Sequence, residues 1–156
     1  MVEPINDNNV DFDVYNGEPN NDYVDYFTYS LVGSSYQITG IKTDYLDVEK
    51  IILPSTYNGK NITKITTDAL YGCTRLKEIY IGKTYKEFEQ SAFNGCILLE
   101  KIYLFELDGN KLSPAATGLL DGTSNIIKIY ILDGSNYTSG YTWQNYKDYF
   151  VYFKRS

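Results

Sequence analysis

The chain has 156 residues, of which 43% are apolar, so it is the size of one ordinary domain and carries enough hydrophobic material for one core. Acidic residues outnumber basic ones by 20 to 14, the net charge is −6, and the basic residues are scattered. That distribution excludes the concentrated positive surface that binding to nucleic acid phosphates needs. No apolar run approaches the roughly 18 residues of a membrane-spanning helix.

The segment from Met1 to about Asp22 is rich in Asp and Asn and poor in apolar residues, so residues 1–22 read as a flexible acidic arm. Within it Asp7, Asn9, Asp11, Asp13 and Glu18 fall on positions 1, 3, 5, 7 and 12 of a calcium loop. The sixth position of that loop needs Gly and holds Phe12, and no helical pattern flanks it, so the expectation is no metal. The N-terminus also lacks the basic-then-apolar pattern of a signal peptide, so an exported form is expected to begin after one.

Next, Thr28-Tyr-Ser-Leu-Val32 and Tyr36-Gln-Ile-Thr39 alternate with period two around Gly33-Ser-Ser35, which predicts a hairpin. It would close the N-terminal end over residues 23–44. Beyond it the chain repeats itself. Val48-Glu-Lys-Ile-Ile-Leu53, Leu76-Lys-Glu-Ile-Tyr-Ile81, Leu99-Glu-Lys-Ile-Tyr-Leu104 and Ile126-Ile-Lys-Ile-Tyr-Ile131 all read apolar-x-x-apolar-x-apolar, with starts 28, 23 and 27 residues apart. A second block, Ala69-Leu-Tyr-Gly-Cys73, Ala92-Phe-Asn-Gly-Cys96 and Leu119-Leu-Asp-Gly-Thr123, ends three residues before each of the last three strands. Four residues before each block stands a further apolar residue: Ile65, Phe88 and Ala115. A unit of this length with one short strand cannot close its own core, so each must bury its apolar face on its neighbours. The expectation is a solenoid over residues 45–132.

Several consequences follow along the strands. Val48, Ile51, Leu53, Leu76, Ile79, Ile81, Leu99, Ile102, Leu104, Ile126, Ile129 and Ile131 should line one core beneath a parallel sheet. Glu49, Lys77 and Glu100 should lie side by side, as should Lys50, Glu78 and Lys101. Alternation sends Ile52, Tyr80, Tyr103 and Tyr130 to the opposite face, where they should form one exposed row flanked by Glu78, Lys101 and Lys128. Gly72, Gly95 and Gly122 fall where a short helical or 3-10 turn reverses into the strand, a place for positive φ. Cys73 and Cys96 occupy equivalent places, which fits stacked buried thiols before a disulfide or a metal site.

These residues resemble the BspA-like leucine-rich repeats of bacterial surface proteins, whose units read roughly I-xx-I-xxx-A-F-x-G-C-xx-L-xx-I-x-I-P. The resemblance runs from about Tyr29 to Tyr152. Leu53-Pro54 carries the strand-ending proline, whereas Leu120 and Thr123 depart from the pattern in the last full unit. It implies a right-handed leucine-rich-repeat solenoid with a parallel sheet of short strands and helical or 3-10 turns. It also implies an extracellular or cell-surface location within a larger surface protein.

After the last strand, Trp143, Tyr146, Phe150 and Phe153 recur at steps of three, four and three. They predict an aromatic lid over residues 133–156, either as a helix or as a closing strand Phe150-Val-Tyr-Phe153. The division is then an arm at 1–22 and a single domain at 23–156.

The chemistry-bearing motifs are sparse. The chain has no histidine, no phosphate-binding glycine loop and no dinucleotide fingerprint. Asn61-Ile-Thr63 and Asn136-Tyr-Thr138 match the glycosylation acceptor pattern, which short sequences often match by chance. Dispersed carboxylates could still meet in a fold, but a thin solenoid rarely buries them deeply enough to shift their acidity. The expectation is therefore a non-catalytic module without cofactor that binds a protein or glycan through the row of Tyr80, Tyr103, Tyr130 and Ile52. The alternatives are a spacer or self-association module and, last, an enzyme.

Overall fold

The computed structural model describes residues 5–7 and 15–154. Its strands in chain order are β1 (Ile5–Asp7), β2 (Phe27–Val32), β3 (Ser35–Ile41), β4 (Lys50–Ile52), β5 (Thr56–Tyr57), β6 (Lys60–Ile65), β7 (Glu78–Ile81), β8 (Glu87–Phe88), β9 (Lys101–Leu104), β10 (Lys128–Leu132) and β11 (Phe150–Phe153). They form two sheets. The first runs β1-β11-β10-β9-β7-β4, and each neighbouring pair is parallel. The second runs β2-β3-β6-β5, with β8 also on β6; β3, β6 and β8 are parallel neighbours. From β3 onward the chain alternates between the sheets, to β4, back to β6, to β7, to β8 and to β9, so each of these coils leaves one strand in each sheet, and β10 and β11 then extend the first sheet alone. This is the leucine-rich-repeat fold that the repeats call for.

The register is the expected one. Ile51, Ile79, Ile102 and Ile129 are partners across four strands, as are Lys50, Glu78, Lys101 and Lys128. Among the described residues the ion pairs fall elsewhere: Arg75 to Glu49 at 3.5 Å, and Lys64 to Glu87 and Glu89 at 2.9 and 3.2 Å. The inward residues of the first sheet pack against Ile38, Ile62, Ile65 and Phe88 of the second. Ala69, Leu70, Ala92, Phe93 and the two cysteines close the edge between them. Cys73 and Cys96 are both free and buried. Their hydrogen bond lowers the pKa of Cys73 below the ordinary thiol value and raises that of Cys96.

Two core positions differ from expectation. Ile126 is 61% exposed and Ile127 is buried in its place. In the earlier coils the turn closes with Leu76 N–H to the Cys73 carbonyl and Leu99 N–H to the Cys96 carbonyl; here it closes with Ile127 N–H to the Ser124 carbonyl. One extra residue is absorbed before the strand, which then keeps its register. Likewise Leu112 is buried where Ala115 was expected to serve.

Gly72, Gly95 and Gly122 all have positive φ, at 97°, 89° and 76°. They also stack. A Cβ on Gly95 would sit 3.1 Å from the Gly72 nitrogen, and one on Gly122 would lie 3.0 Å from the Gly95 nitrogen.

Both ends are capped. The hairpin β2–β3 turns at Gly33-Ser34 and lays β3 parallel to β6. At the other end the alternatives of helix and strand are both realised: a 3-10 helix at Gln144–Tyr149 leads directly into β11, which extends the first sheet. Trp143 Nε1 donates to the Gly109 and Leu112 carbonyls at 3.1 and 2.8 Å, and Tyr146 Oη donates to the Ala115 carbonyl at 2.6 Å. Each polar tip is thereby satisfied while the rings cover the last coil.

Within the segment read as an acidic arm, β1 pairs with β11 through the partners Ile5 and Val151, Asn6 and Tyr152, and Asp7 and Phe153. Tyr15 is buried, and the Ser55 N–H donates to the Asn20 carbonyl and the Asn21 side chain. The calcium-loop positions Asn9, Asp11 and Asp13 lie outside the described residues.

Candidate functional site

The row of Ile52, Tyr80, Tyr103 and Tyr130 is aligned by the ladder as expected, on the face of the first sheet opposite the main core. Tyr80 and Tyr103 stack at 4.5 Å with planes 3° apart, and Tyr103 and Tyr130 follow at 4.7 Å. Its exposure, however, is corrected: these four residues are 5%, 3%, 3% and 7% accessible. They belong to a second apolar cluster with Tyr15, Phe105, Leu132, Val151 and Phe153.

The cause is local. Two residues beyond the tyrosines, the same strand face carries Pro54, Gly82, Phe105, Leu132 and Phe153 as a second row. Gly82 leaves a notch there. Tyr15 fills it, edge-on to Phe105 at 4.8 Å and to Tyr80 at 6.2 Å, and a Cβ on Gly82 would collide with the Tyr15 hydroxyl at 2.5 Å. Burial raises the Tyr15 pKa from 10.0 to about 12, with Glu18 adding to the effect. The charged neighbours serve the same cluster. Tyr80 Oη donates to Glu78 Oε2 at 2.8 Å, and Lys101 Nζ lies 5.6 Å from the Tyr130 ring centre. Lys128 is exposed at the rim.

The second sheet offers a different surface. β3 and β6 start at the same end, and each is entered through a two-residue hairpin turn, at Gly33-Ser34 and Asn58-Gly59. Asn58 and Gly59 both have positive φ, 49° and 75°, the geometry of a type I′ turn. Between the turns and β8 lies a cavity of about 390 Å³ lined by Ser34, Ser35, Gly59, Lys60, Asn61, Thr63 and Lys86. Ser35, Thr63 and Lys86 come from neighbouring strands or their entries. The Ser35 and Thr63 hydroxyls are 3.1 Å apart, and the Lys86 N–H donates to the Thr63 carbonyl at 2.7 Å. One step along, Lys64 is held by Glu87 and Glu89. The hydrogen bond to Glu87 is the largest cause of its raised pKa, and a hydrogen bond from the Thr67 N–H lowers that of Glu89. The acids on this face are therefore committed to Lys64. Lys60 and Lys86 have no ion-pair partner among the described residues.

A further cavity of about 430 Å³, lined by Leu107, Leu132, Asp133 and Lys154, opens where the first sheet ends. Asp108 has its pKa lowered, first by its hydrogen bond with Asn136 and then by capping the 3-10 turn at Gly109–Lys111. That is a structural duty. Among the described residues no three His, Cys, Asp or Glu side chains gather where they could hold a metal ion, and no helix is long and apolar enough to cross a membrane.

None of the seven groove residues stood among the expected site residues. One signal for them is present: Asn58-Gly59 between Thr56-Tyr57 and Lys60-Asn61 is the strongest short-range hairpin pattern, and it places Lys60 beside the first hairpin's turn.

The profile of the BspA type leucine rich repeat region matches residues 44–153 in six copies. No curated protein matches the chain. Among solved structures, the T. pallidum leucine rich repeat protein TpLRR is similar at 16% identity over 83% of this chain and 84% of that one, with a TM-score of 0.42. A leucine rich cell surface protein from Faecalibacterium prausnitzii A2-165 is 16% identical over 68% of this chain and 31% of its own, with a TM-score of 0.45. A leucine-rich repeat protein from Bacteroides ovatus is 15% identical over 83% and 40%, at 0.43. The chain thus spans less than half of each of the last two.

Proposed function

The chain belongs to the BspA-type leucine-rich-repeat family, and on that premise we propose that it is a non-catalytic binding module of a bacterial surface protein. The ligand is a glycan or protein carrying polar groups, and it binds on the second sheet. One observation carries this reading: the groove of Ser34, Ser35, Gly59, Lys60, Asn61, Thr63 and Lys86 is held by three paired strands, yet most of its polar side chains are not spent on the fold. A rigid frame with uncommitted donors and acceptors is what a recognition site requires. The tyrosine face does not serve, since its rings already pack against one another and against Tyr15. The binding unit is the single domain at 23–156 with Tyr15 to Asp22 packed on it.

The test is a glycan array together with a panel of immobilised extracellular-matrix and plasma proteins, probed with the folded chain. Saturable capture that Thr63→Val and Ser35→Ala together weaken supports the reading. Absence of capture from both panels would leave a spacer module and end the proposal.

A further inference from the structure

We infer that the groove on the second sheet takes an acidic sugar, a hexose-type ring bearing carboxylate or sulfate, within an oligosaccharide. This rests on the binding-module reading and adds the ligand's chemistry to it.

The argument begins with charge. The chain carries −6 overall, so a site with two lysines and no acid stands against the general field. That local excess is built by placement. Lys60 and Lys64 share β6, but Lys64 alone engages Glu87 and Glu89, at 2.9 and 3.2 Å. Glu87 and Glu89 are thereby engaged by Lys64 and do not line the groove, whereas Lys60 and Lys86 do, so the three lysines outnumber the two acids here. An anion entering there meets two ammonium groups without displacing a protein carboxylate, so it incurs no loss of an existing ion pair.

The remaining lining selects among anions. Ser34, Ser35, Asn61 and Thr63 present hydroxyl and amide groups that both donate and accept, the complement of a polyhydroxylated ring. Ser35 and Thr63 are already within 3.1 Å of each other, so two of these groups are pre-positioned. At Gly59 nothing stands within 4 Å of where a Cβ would be, which leaves the turn backbone open to the ligand. The groove has no apolar or aromatic lining residue to receive the side chains of a peptide or stack on a nucleic acid base. Two lysines are also far fewer than a phosphate backbone needs. Its volume, about 390 Å³, is that of a small-ligand site rather than a protein interface. Lysine ammoniums act as point charges without the planar fork of arginine, so sulfate and carboxylate are both accommodated.

The experiment measures binding of the whole chain by calorimetry to size-matched oligosaccharides. The set comprises a heparin fragment, its desulfated form, a hyaluronan fragment carrying carboxylates alone, dextran sulfate and neutral dextran, with poly-glutamate as the acidic peptide control. Binding is expected to the acidic sugars and not to dextran or poly-glutamate, and to weaken as salt is raised. The heparin, desulfated and hyaluronan arms separate sulfate from carboxylate as the charge that is read. Lys60→Gln and Lys86→Gln should each weaken binding about tenfold, and Lys60→Arg with Lys86→Arg should retain it. Lys50→Gln with Lys128→Gln, on the other sheet, should leave it unchanged, and circular dichroism checks that every variant is folded. Equal binding to neutral dextran, equal binding to poly-glutamate, or indifference to loss of both lysines would each overturn the acidic-sugar inference. In those cases capture on the broader panels, still sensitive to Ser35 and Thr63, would leave the binding-module reading standing.

Discussion

Replacing Tyr103 with alanine separates a buried tyrosine row from an exposed one. Tyr103 is 3% accessible, stacks on Tyr80 at 4.5 Å, meets Tyr130 at 4.7 Å and stands edge-on to Phe153 at 5.7 Å. Truncating a buried aromatic ring to alanine costs about 3–5 kcal/mol, because the transfer energy is lost and the cavity cannot fully collapse. Tyr103 lies in the middle of the row, where neighbours on both sides hold the cavity open, so the upper half of that range is expected. Within it, the ring pair with Tyr80 should appear as a coupling of about 0.5–1.5 kcal/mol in a double-mutant cycle with Tyr80→Ala. The measurement is urea unfolding followed by far-ultraviolet circular dichroism on wild type, both single variants and the double. A domain of this size is stable by only about 5–15 kcal/mol, so replacing Tyr80, Tyr103 and Tyr130 together should prevent folding at ordinary temperature. A cost below about 1 kcal/mol for Tyr103→Ala, with unchanged cooperativity, would refute the burial argument and return this face to solvent.

Gly95→Ala and Gly134→Ala impose nearly the same strained backbone, φ 89° and 88°, but only Gly95 has a neighbouring coil in front of it. Gly134→Ala should cost about 1–2 kcal/mol and Gly95→Ala about 1–3 kcal/mol more; equal melting temperatures would show that the coils do not pack this closely. Ile126→Ser should change stability by no more than about 0.5 kcal/mol and Ile127→Ser by about 2–4 kcal/mol, and the reverse order in chemical denaturation would undo the one-residue offset in that coil. Tyr15 holds its proton more tightly folded, at about 12, than unfolded, at 10.0. The unfolded chain therefore ionises first, so the Tyr15 share of stability is complete below pH 10 and is lost as pH rises toward 12. Tyr15→Phe should flatten that part of the alkaline decline in urea midpoint, and an unchanged slope would mean that Tyr15 is solvated.

Much of the repeat architecture was legible because it depends on spacing. The interval from Leu76 to Leu99, and the shared pattern inside each strand, determine which residues pair across the ladder, and the partners of Ile79 and Tyr80 follow directly. The offset at Ile126 was not legible. The degenerate block ending in Thr123 supplies two adjacent isoleucines, and either satisfies the pattern; the hydrogen bond to Ser124 rather than Thr123 decides between them. Tyr15 was equally hidden, since one aromatic residue in an acidic segment has no periodicity, and its partner is the absent side chain of Gly82, distant in sequence.

The difference between the two sheet faces has a more specific physical origin. Period-two alternation says which side of a strand a residue faces, and it says nothing of whether that side is wet. The better discriminator is whether the residues between the inward positions are polar. In Ile102-Tyr-Leu-Phe105 and Ile129-Tyr-Ile-Leu132 they are not, and such continuous apolar runs characterise parallel strands buried on both faces. β6, Lys60-Asn-Ile-Thr-Lys-Ile65, is different: only Ile62 and Ile65 are buried, Thr63 and Lys64 between them are polar and half-buried, and Lys60 and Asn61 are exposed. The sheet with the more conspicuous repeats is thus the one sealed on both sides, and the quieter sheet keeps a polar face. A ligand that must be desolvated by hydrogen bonds and charge can reach the second without first unpacking a layer of aromatic rings, whereas reaching the first would incur the several kcal/mol that Tyr103→Ala is expected to measure.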